Sequence, residues 1–175
     1  MSNKLTKDPQ DELLIEVDSN NSIIGSIPRG VAHNSPDKIY RIVVIFVKNG
    51  NNYLWQKRSA TKGMYPNCWS HSVGGHVGYG KDYAETAVKE LKEELGIVAS
   101  EKEFKFMGEV LVKFPTLNEF SHVFEYNLKP TDRIDIAKDE VSEVRWMSMD
   151  EAKESMRQQK LKWHPSSVQL VEALY

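Results

Sequence analysis

The sequence predicts a mixed α/β domain with an N-terminal β-hairpin, and two features carry that prediction. Residues 39–47 contain the continuous apolar and β-branched run YRIVVIFV, which is typical of a strand buried on both faces. A glycine-rich loop followed by a helix-forming stretch occupies residues 75–97, with the sequence GHVGYGKDYAETAVKELKEELGI. The total of 175 residues, 40% of them hydrophobic, is enough for one folded unit with its own core. We therefore predict a single domain over residues 11–175, after a flexible N-terminus at residues 1–10.

Turn residues divide the first half of the chain into strands. The polar run DSNN at residues 18–21 separates two short apolar stretches and predicts the N-terminal hairpin. The run KNGNN at residues 48–52 predicts a tight turn that gives the central strand a hairpin partner. The predicted strands of this half are 13–17, 22–27, 39–47, 53–58 and 69–73, and a loop at 59–67 precedes the last of them.

Capping residues mark the elements of the second half. Asp82 is a typical N-cap and Gly96 a typical C-terminal stop, so a helix is predicted to run from Asp82 to Leu95. Asp150 predicts the start of a second helix, and the dipeptide His164-Pro165 predicts a third. The predicted strands here are 104–114, 119–128 and 144–149, and the last two helices are 151–159 and 166–174.

Composition excludes several classes of protein. The formal net charge of -2 gives no reason to expect nucleic-acid binding, and no run of 18 apolar residues predicts a membrane span. The single cysteine, Cys68, excludes an internal disulfide and a cysteine-rich zinc site. The N-terminal sequence lacks the apolar stretch of a secretion signal, so a cytoplasmic location is the default expectation.

The predicted helix at 82–95 concentrates three carboxylates. With about 100° between consecutive residues, one arc of the helix is apolar and should face the sheet, formed by Ala84, Ala87, Val88, Leu91 and Leu95. Glu90, Glu93 and Glu94 occupy the adjacent arc and should point to one rim. Carboxylate oxygens suit Mg²⁺ or Mn²⁺, which would favour phosphate chemistry. The alternative is a solvated helix in which lysines and glutamates support one another at spacings of three and four.

The spacing of the segment resembles the Nudix box, G-x5-E-x7-R-E-U-x-E-E-x-G-U, where U is a bulky aliphatic residue. The match begins at Gly75 and ends at Gly96 and Ile97, and seven of the nine specified positions agree without a gap. The preceding sequence LWQKRSATKGMYPNCWSHSVGGHV resembles the strand, loop and glycine pair before the box in that superfamily. The resemblance extends more weakly over nearly the whole chain.

That resemblance implies a Nudix-type α/β/α sandwich with a mixed sheet, and a MutT-like hydrolase or pyrophosphatase. The implied reaction is metal-dependent cleavage of the diphosphate linkage of a nucleoside diphosphate derivative or a similar organic diphosphate. In such enzymes the glutamates that match Glu90, Glu93 and Glu94 usually hold Mg²⁺ or Mn²⁺. A further acidic residue outside the box often acts as a ligand or base, and Glu119 is the candidate. We thus expect Glu93, Glu94 and Glu119 to be catalytic.

Two positions of the box depart from the pattern, and both are lysine. Lys81 replaces the first glutamate, and Lys89 replaces the arginine that orients a metal-binding glutamate. Lysine keeps the positive charge but lacks the planar, two-pronged geometry of a guanidinium group. A non-catalytic nucleotide-binding module is therefore one alternative.

Isopentenyl-diphosphate isomerase is the other alternative, because the chain is similar in layout to a group within the superfamily that shares features with it. The shared segments include VDSNNSIIGSIPRGVAH, WSHSVGGHV and NEFSHVFEY. The isomerase needs a catalytic cysteine two residues before the histidine that matches His76, and this chain has Gly74 there. Tyr40 and Leu117 stand where the isomerase has a metal-binding histidine and glutamate, whereas His33, His76 and Glu119 match.

The remaining candidates concern the substrate. Arg58 and Lys62 flank the loop before the site, where cationic groups pair well with a diphosphate, and Gly75, His76 and Lys89 complete the predicted substrate-binding set. The expected partner is a small-molecule diphosphate, with no nucleic acid and no membrane. The loops at 59–67 and 115–118 carry no signature that names the substrate, and both a monomer and a homodimer remain open.

Overall fold

The structure is a computed structural model that describes residues 9–175, and one connected sheet of nine strands forms its centre. In chain order the elements are β1 (Leu13–Val17), β2 (Ile23–Pro28), α1 (Arg29–Ala32), β3 (Ile39–Asn49), β4 (Asn52–Arg58), β5 (Trp69–Ser70), β6 (Val73–His76), α2 (Tyr83–Leu95), β7 (Phe104–Lys113), β8 (Asn118–Asn127), β9 (Val141–Ser148), α3 (Met149–Arg157) and α4 (Pro165–Leu174). A 3₁₀ turn at Glu101–Glu103 precedes β7. The predicted flexible N-terminus, residues 1–10, lies almost entirely outside the described residues.

Strand β3 is the buried centre that its apolar run predicts. It pairs in parallel with β8 over ten positions, and antiparallel with β1 and β6. Because side chains alternate along a strand, Val43 and Ile45 face one layer of the core while Val44 and Phe46 face the other. Both faces of this strand are therefore covered.

Helices cover the sheet on both sides, which makes the predicted α/β/α sandwich correct. On one face, Leu91 and Leu95 of α2 pack in a cluster with Val43 and Ile45. On the other face, side chains of the last two helices join the cluster around Phe46; these are Ala152, Leu170 and Val171. Among the described residues, no helix combines the length and the apolar character needed to cross a membrane.

The predicted caps of α2 are confirmed. The Asp82 side chain accepts a hydrogen bond from the backbone N–H of Glu85 at 2.8 Å, and Gly96 ends the helix with a φ of 71°. That left-handed conformation favours glycine, since a Cβ atom there would clash with the backbone.

Two predictions for individual elements are wrong, and the predicted hairpin of the central strand is confirmed only next to its turn. The predicted strand 69–73 is interrupted, because the Ser72 hydroxyl accepts from Val47 N and donates to the Leu54 carbonyl, and two short strands replace it. Strand β4 pairs with β3 only at the turn, and its main partner is β9. The cap of α3 is Ser148 rather than Asp150, since Ser148 and Glu151 form a reciprocal capping box. The short helix α1 was not predicted.

Candidate active site

A glycine of β6 lets helix α2 approach the sheet closely. A Cβ atom added to Gly75 would lie 2.3 Å from both Cγ and Cδ of Glu90, far inside contact distance. Only a glycine therefore leaves room for the Glu90 side chain in its present position. The first glycine of the box motif thus acts by making space for one of the box carboxylates.

The Glu94 carboxylate is buried and held at both oxygens. Gln56 of β4 donates its side-chain amide to Glu94 Oε2 at 2.8 Å, and the backbone N–H of Gly74 lies 3.4 Å from Oε1. Burial, and next the charge of Glu90, raise the pKa of Glu94 to about 8. Glu94 therefore does not lie at an open rim, as the helical wheel predicted, but between the helix and the sheet.

Lys89 places a cation between the other two box glutamates. Its Nζ lies 2.9 Å from Glu90 Oε1 and 3.1 Å from Glu93 Oε2. The Glu90 side chain is 14% exposed and that of Glu93 is 57% exposed, so the pair spans the boundary between interior and solvent. Burial raises the pKa of Glu90. Lys81 pairs instead with Glu85 on the outer surface of the helix.

These carboxylates line one cavity of about 390 Å³, which we call the carboxylate cavity. Its acidic wall consists of Glu12, Glu90, Glu93, Glu94, Asp139 and Glu140. Within residues 9–175, no three His, Cys, Asp or Glu side chains converge as a preformed metal site. The box carboxylates have other partners instead: the Lys89 ammonium pairs with Glu90 and Glu93, and the Gln56 amide donates to Glu94.

The donor set nevertheless fits a hard divalent cation. All the acidic groups offer oxygen, the ligand type that Mg²⁺ and Mn²⁺ prefer. Burial disfavours the charged forms of Glu90 and Glu94, so a bound cation would relieve an existing electrostatic cost. The position of the Lys89 ammonium, between two of these carboxylates, shows that a positive charge already lies there.

A second cavity of about 410 Å³ adjoins the first, and we call it the aromatic cavity. Its walls carry aromatic rings and cations, namely Tyr40, Tyr65, Phe114, Arg29, Arg58 and Lys62. Four residues line both cavities: Arg29, Lys62, Gly74 and His76. A bound molecule can therefore extend from the carboxylate cavity into the aromatic cavity along these four shared residues, which we call the shared wall.

Glu119 lines the aromatic cavity. It is 7% exposed, and burial raises its pKa to about 8, while a hydrogen bond from Tyr40 acts in the opposite direction. Glu119 is therefore a buried carboxyl group, although it lies near the start of strand β8.

Two histidines meet at the shared wall. His33 Nε2 lies 2.9 Å from His76 Nε2, and the Tyr40 ring stacks on His76 with 5.4 Å between centroids. Burial lowers the pKa of His76 well below its ordinary value, so its imidazole is neutral near pH 7. One of the two facing nitrogens donates and the other accepts.

The structure brings most predicted site residues to these two cavities. The carboxylate cavity receives Glu90, Glu93, Glu94, Gly75, His76, Lys62 and Lys89. Arg58 and Glu119 line the aromatic cavity instead. Four further residues at or beside these cavities were not predicted as site residues: Gln56, Tyr65, Phe114 and Glu140. Gln56 follows the apolar residues Tyr53, Leu54 and Trp55 of β4 and Phe114 ends a predicted strand, while Tyr65 and Glu140 lie in loops, and none of these patterns indicates a site.

Comparisons with known proteins give matches over most of the chain. A family model described as the NUDIX domain matches residues 38–171. An isopentenyl-diphosphate Delta-isomerase from Nocardia farcinica is 27% identical over 89% of this chain and 90% of its own length. An isopentenyl-diphosphate Delta-isomerase 2 from Photorhabdus laumondii is 31% identical over 79% and 78%. An uncharacterized Nudix hydrolase from Nostoc is 31% identical over 67% of this chain and 70% of its own length.

Solved structures show the same fold. The crystal structure of DR0079 from Deinococcus radiodurans superposes with a TM-score of 0.77 at 23% identity, over 94% of this chain and 99% of that one. A bifunctional NMN adenylyltransferase/ADP ribose pyrophosphatase from Francisella tularensis, complexed with AMP and a manganese ion, gives a TM-score of 0.57 at 20% identity. That match covers 77% of this chain and 40% of that one.

The predicted resemblance is therefore confirmed. Nudix hydrolases generally use divalent metals, and membership of the family supports a hydrolase activity in general. With its box glutamates collected on α2 and its matching residues spanning β3 to α4, the chain belongs to the NUDIX domain family.

Proposed function

We propose that this protein is a hydrolase that depends on Mg²⁺ or Mn²⁺ and cleaves the diphosphate linkage of an organic diphosphate, such as a nucleoside diphosphate derivative. The observation that carries the proposal is a pair of adjoining cavities that share Arg29 and Lys62 but differ in the rest of their walls. One offers carboxylates for a metal, and the other offers cations and aromatic rings for the rest of the substrate.

Each group in the proposed site has a chemical task. Glu90, Glu93 and Glu94 would hold the metal, which neutralises phosphate charge and helps to generate a nucleophile from water. Arg58 and Lys62 pair with phosphate oxygens, since guanidinium and ammonium groups bind them well.

The remaining predicted residues shape the site, hold its carboxylates or activate water. His76 donates or accepts one hydrogen bond at the shared wall as a neutral imidazole, and Gly75 leaves room for the Glu90 side chain in the carboxylate cavity. A carboxylate serves as the general base, and Glu93, Glu94 and Glu119 are the candidates. Lys89 holds two of the box carboxylates in place.

The test is product analysis by chromatography after incubation with Mg²⁺ or Mn²⁺. The panel contains nucleoside triphosphates, dinucleotides, nucleotide sugars, coenzyme A and isopentenyl diphosphate. Glu93→Gln and Glu94→Gln should each reduce turnover by about a hundredfold or more. Glu143→Gln is the matched control, because Glu143 lies on β9 with a 45% exposed side chain and outside both cavities.

Two outcomes would contradict this proposal. Full activity in both box variants would show that these carboxylates do not hold the catalytic metal. A silent panel, with tight nucleotide binding by calorimetry, would support a non-catalytic binding module instead.

An isomerase acting on isopentenyl diphosphate is the second candidate, motivated by relatives that bear that name. The structure gives a reason to rank it lower. A Cβ atom at Gly74, where the isomerase has its cysteine, would lie 2.5 Å from His71 Nε2. The wall is therefore closed to a thiol side chain in this conformation. Incubating isopentenyl diphosphate in heavy water tests the point, and deuterium in an isomerised product would establish the isomerase.

A further inference from the structure

A small pocket of about 80 Å³ adjoins both cavities, and we call it the histidine pocket. Gly74 and His76 line this pocket as well as the carboxylate and aromatic cavities. His71, His164 and Arg58 also line it. Since a water molecule takes up about 30 Å³ in the liquid, the pocket has room for one small polar group and not for a whole base or sugar.

The start of helix α4 fixes the ring proton of His164. Ser166 N donates to His164 Nδ1 at 3.3 Å, and Ser166 Oγ lies 2.8 Å from the same nitrogen. A ring nitrogen that accepts from a backbone N–H carries no proton, and burial lowers the pKa of His164 to about 2, so the imidazole is neutral. Its one ring proton therefore lies on Nε2, the polar edge that is left to face the pocket.

The next serine of α4 holds His71 in a similar way. Ser167 Oγ accepts from His71 N at 3.0 Å, and its own proton can be donated to His71 Nδ1 at 3.1 Å. Burial lowers the pKa of His71 to about 3, so this imidazole is neutral as well. With Nδ1 accepting, the ring proton lies on Nε2. That nitrogen lies 2.5 Å from the place of a Cβ atom at Gly74, so a side chain there would cover it.

Arg58 makes the histidine pocket electropositive. After burial, its charge is among the causes that lower the pKa of His71, His76 and His164. Glu119 lines the pocket too, but burial raises its pKa to about 8, so this carboxyl group is mainly protonated at pH 7. The pocket therefore combines a guanidinium group with two N–H donors, and such a set suits an anionic oxygen.

We propose that His71 and His164 donate Nε2–H hydrogen bonds to one phosphate of the substrate, beside Arg58 in the histidine pocket. The inference rests on the hydrolase function proposed above and adds two residues to its substrate site. The phosphate belongs to the diphosphate linkage itself, because the pocket shares Gly74, Gly75 and His76 with the carboxylate cavity.

The first test follows the histidine side chains of the metal-free protein by ¹⁵N NMR at pH 7, in the presence of a chelator. Before phosphate is added, the ring shifts of His71 and His164 should show a protonated Nε2 and an unprotonated Nδ1. Inorganic phosphate should then shift both Nε2–H signals. It should not shift those of His122, which lines neither the pocket nor the two cavities. The buried His71 is thus tested without a substitution.

The second test measures the Kd for inorganic phosphate from the same titration in His164→Asn. Asparagine is also a preferred N-cap, so it can keep the bond from Ser166 N while it lacks the Nε2 donor. The Kd should rise about tenfold, the effect of one hydrogen bond to a charged group. His122→Asn makes the same substitution outside the pocket and should leave the Kd unchanged.

The outcomes separate this inference from the proposed function. A protonated Nδ1 in either histidine would overturn its assignment as a donor. An unchanged Kd in His164→Asn, or no phosphate binding to the metal-free protein, would overturn the phosphate site and leave the hydrolase function standing. If phosphate binds as predicted while the substrate panel stays silent, the proposed function fails and the phosphate site stands.

Discussion

The two cavities of this protein are built in different ways. Half of the acidic wall of the carboxylate cavity comes from one continuous segment, in which Gly75 and Glu90 meet and α2 supplies two further glutamates. The aromatic cavity is assembled from distant parts of the chain, with Tyr40 on β3, Tyr65 in a loop and Phe114 after β7. Chemistry that is encoded locally can be predicted from spacing, whereas a substrate pocket of this kind depends on the fold.

The contact between Gly75 and Glu90 is where the largest effect is expected. Gly75→Ala would place a methyl group 2.3 Å from the Glu90 carboxyl carbon. Because Cγ of the mostly buried Glu90 lies at the same distance, the side chain or the helix must shift, and the free energy of unfolding should fall by about 1–3 kcal/mol. The displaced carboxylate should reduce kcat/KM by about a hundredfold, as misplacement of about 1 Å can do.

Gly78→Ala provides the matched control for that experiment. A Cβ atom there would meet Lys81 Cγ at 3.7 Å, an ordinary contact, so activity and stability should be retained. Urea denaturation and steady-state kinetics on both variants check the prediction. Equal activity in the two would mean that the close approach of helix and strand is not what the box glycine provides.

The contrast between the cavities also explains what the sequence could predict. The caps of α2 and the run of β3 are local signals, and both were predicted correctly. The Ser72 hydroxyl that interrupts the strand before the site acts through Val47 and Leu54, which are remote in sequence. A contact of this kind leaves no periodic pattern of apolar and polar residues in the sequence.

Glu140 shows the same limit within the candidate site. It belongs to a charged run, KDE, that is typical of a solvated loop. Its place at the carboxylate cavity is set by contacts that are remote in sequence: the Glu140 carbonyl accepts from Ser59 N, the Glu140 carboxylate pairs with Lys62, and the nearby Ala137 N donates to the Glu94 carbonyl. Its place beside the box therefore follows from tertiary structure, while the three box glutamates are identified by spacing.

Each cavity buries one carboxyl group whose pKa is raised to about 8, namely Glu94 in the carboxylate cavity and Glu119 in the aromatic cavity. Glu119 is the simpler of the two to test, because it is not one of the box glutamates. Between the unfolded pKa near 4.3 and the folded value, the native state binds more protons than the unfolded state. The stability that a protonated Glu119 provides is therefore present at low pH and is lost as pH rises towards 8. Glu119→Gln should remove that loss, which amounts to at most about 1.4 kcal/mol per pH unit.

The measurement is urea denaturation of both proteins at several pH values from 5 to 8, in the presence of a chelator. Buried neutral histidines such as His71, whose pKa burial lowers to about 3, act in both proteins and cancel in the difference. The variant should gain stability relative to the unmodified protein as pH rises. A difference that is constant with pH would show that Glu119 is ionised in the native state over this range.

The smallest expected effect concerns the lysine that departs from the box pattern. Lys89→Arg would replace one ammonium, now 2.9 Å from Glu90 and 3.1 Å from Glu93, with a planar fork that can donate to both carboxylates at fixed angles. Because the charge is unchanged, the gain comes from orientation alone, and kcat/KM should rise by about two- to fivefold. Lys92→Arg, at an exposed position of the same helix, is the control and should have no effect. A lower kcat/KM for Lys89→Arg would mean that the rest of the carboxylate cavity is fitted to the smaller ammonium group. That surrounding structure includes the ion pair of Glu140 with Lys62. The carboxylate cavity would then depend on its tertiary neighbours as much as the aromatic cavity does.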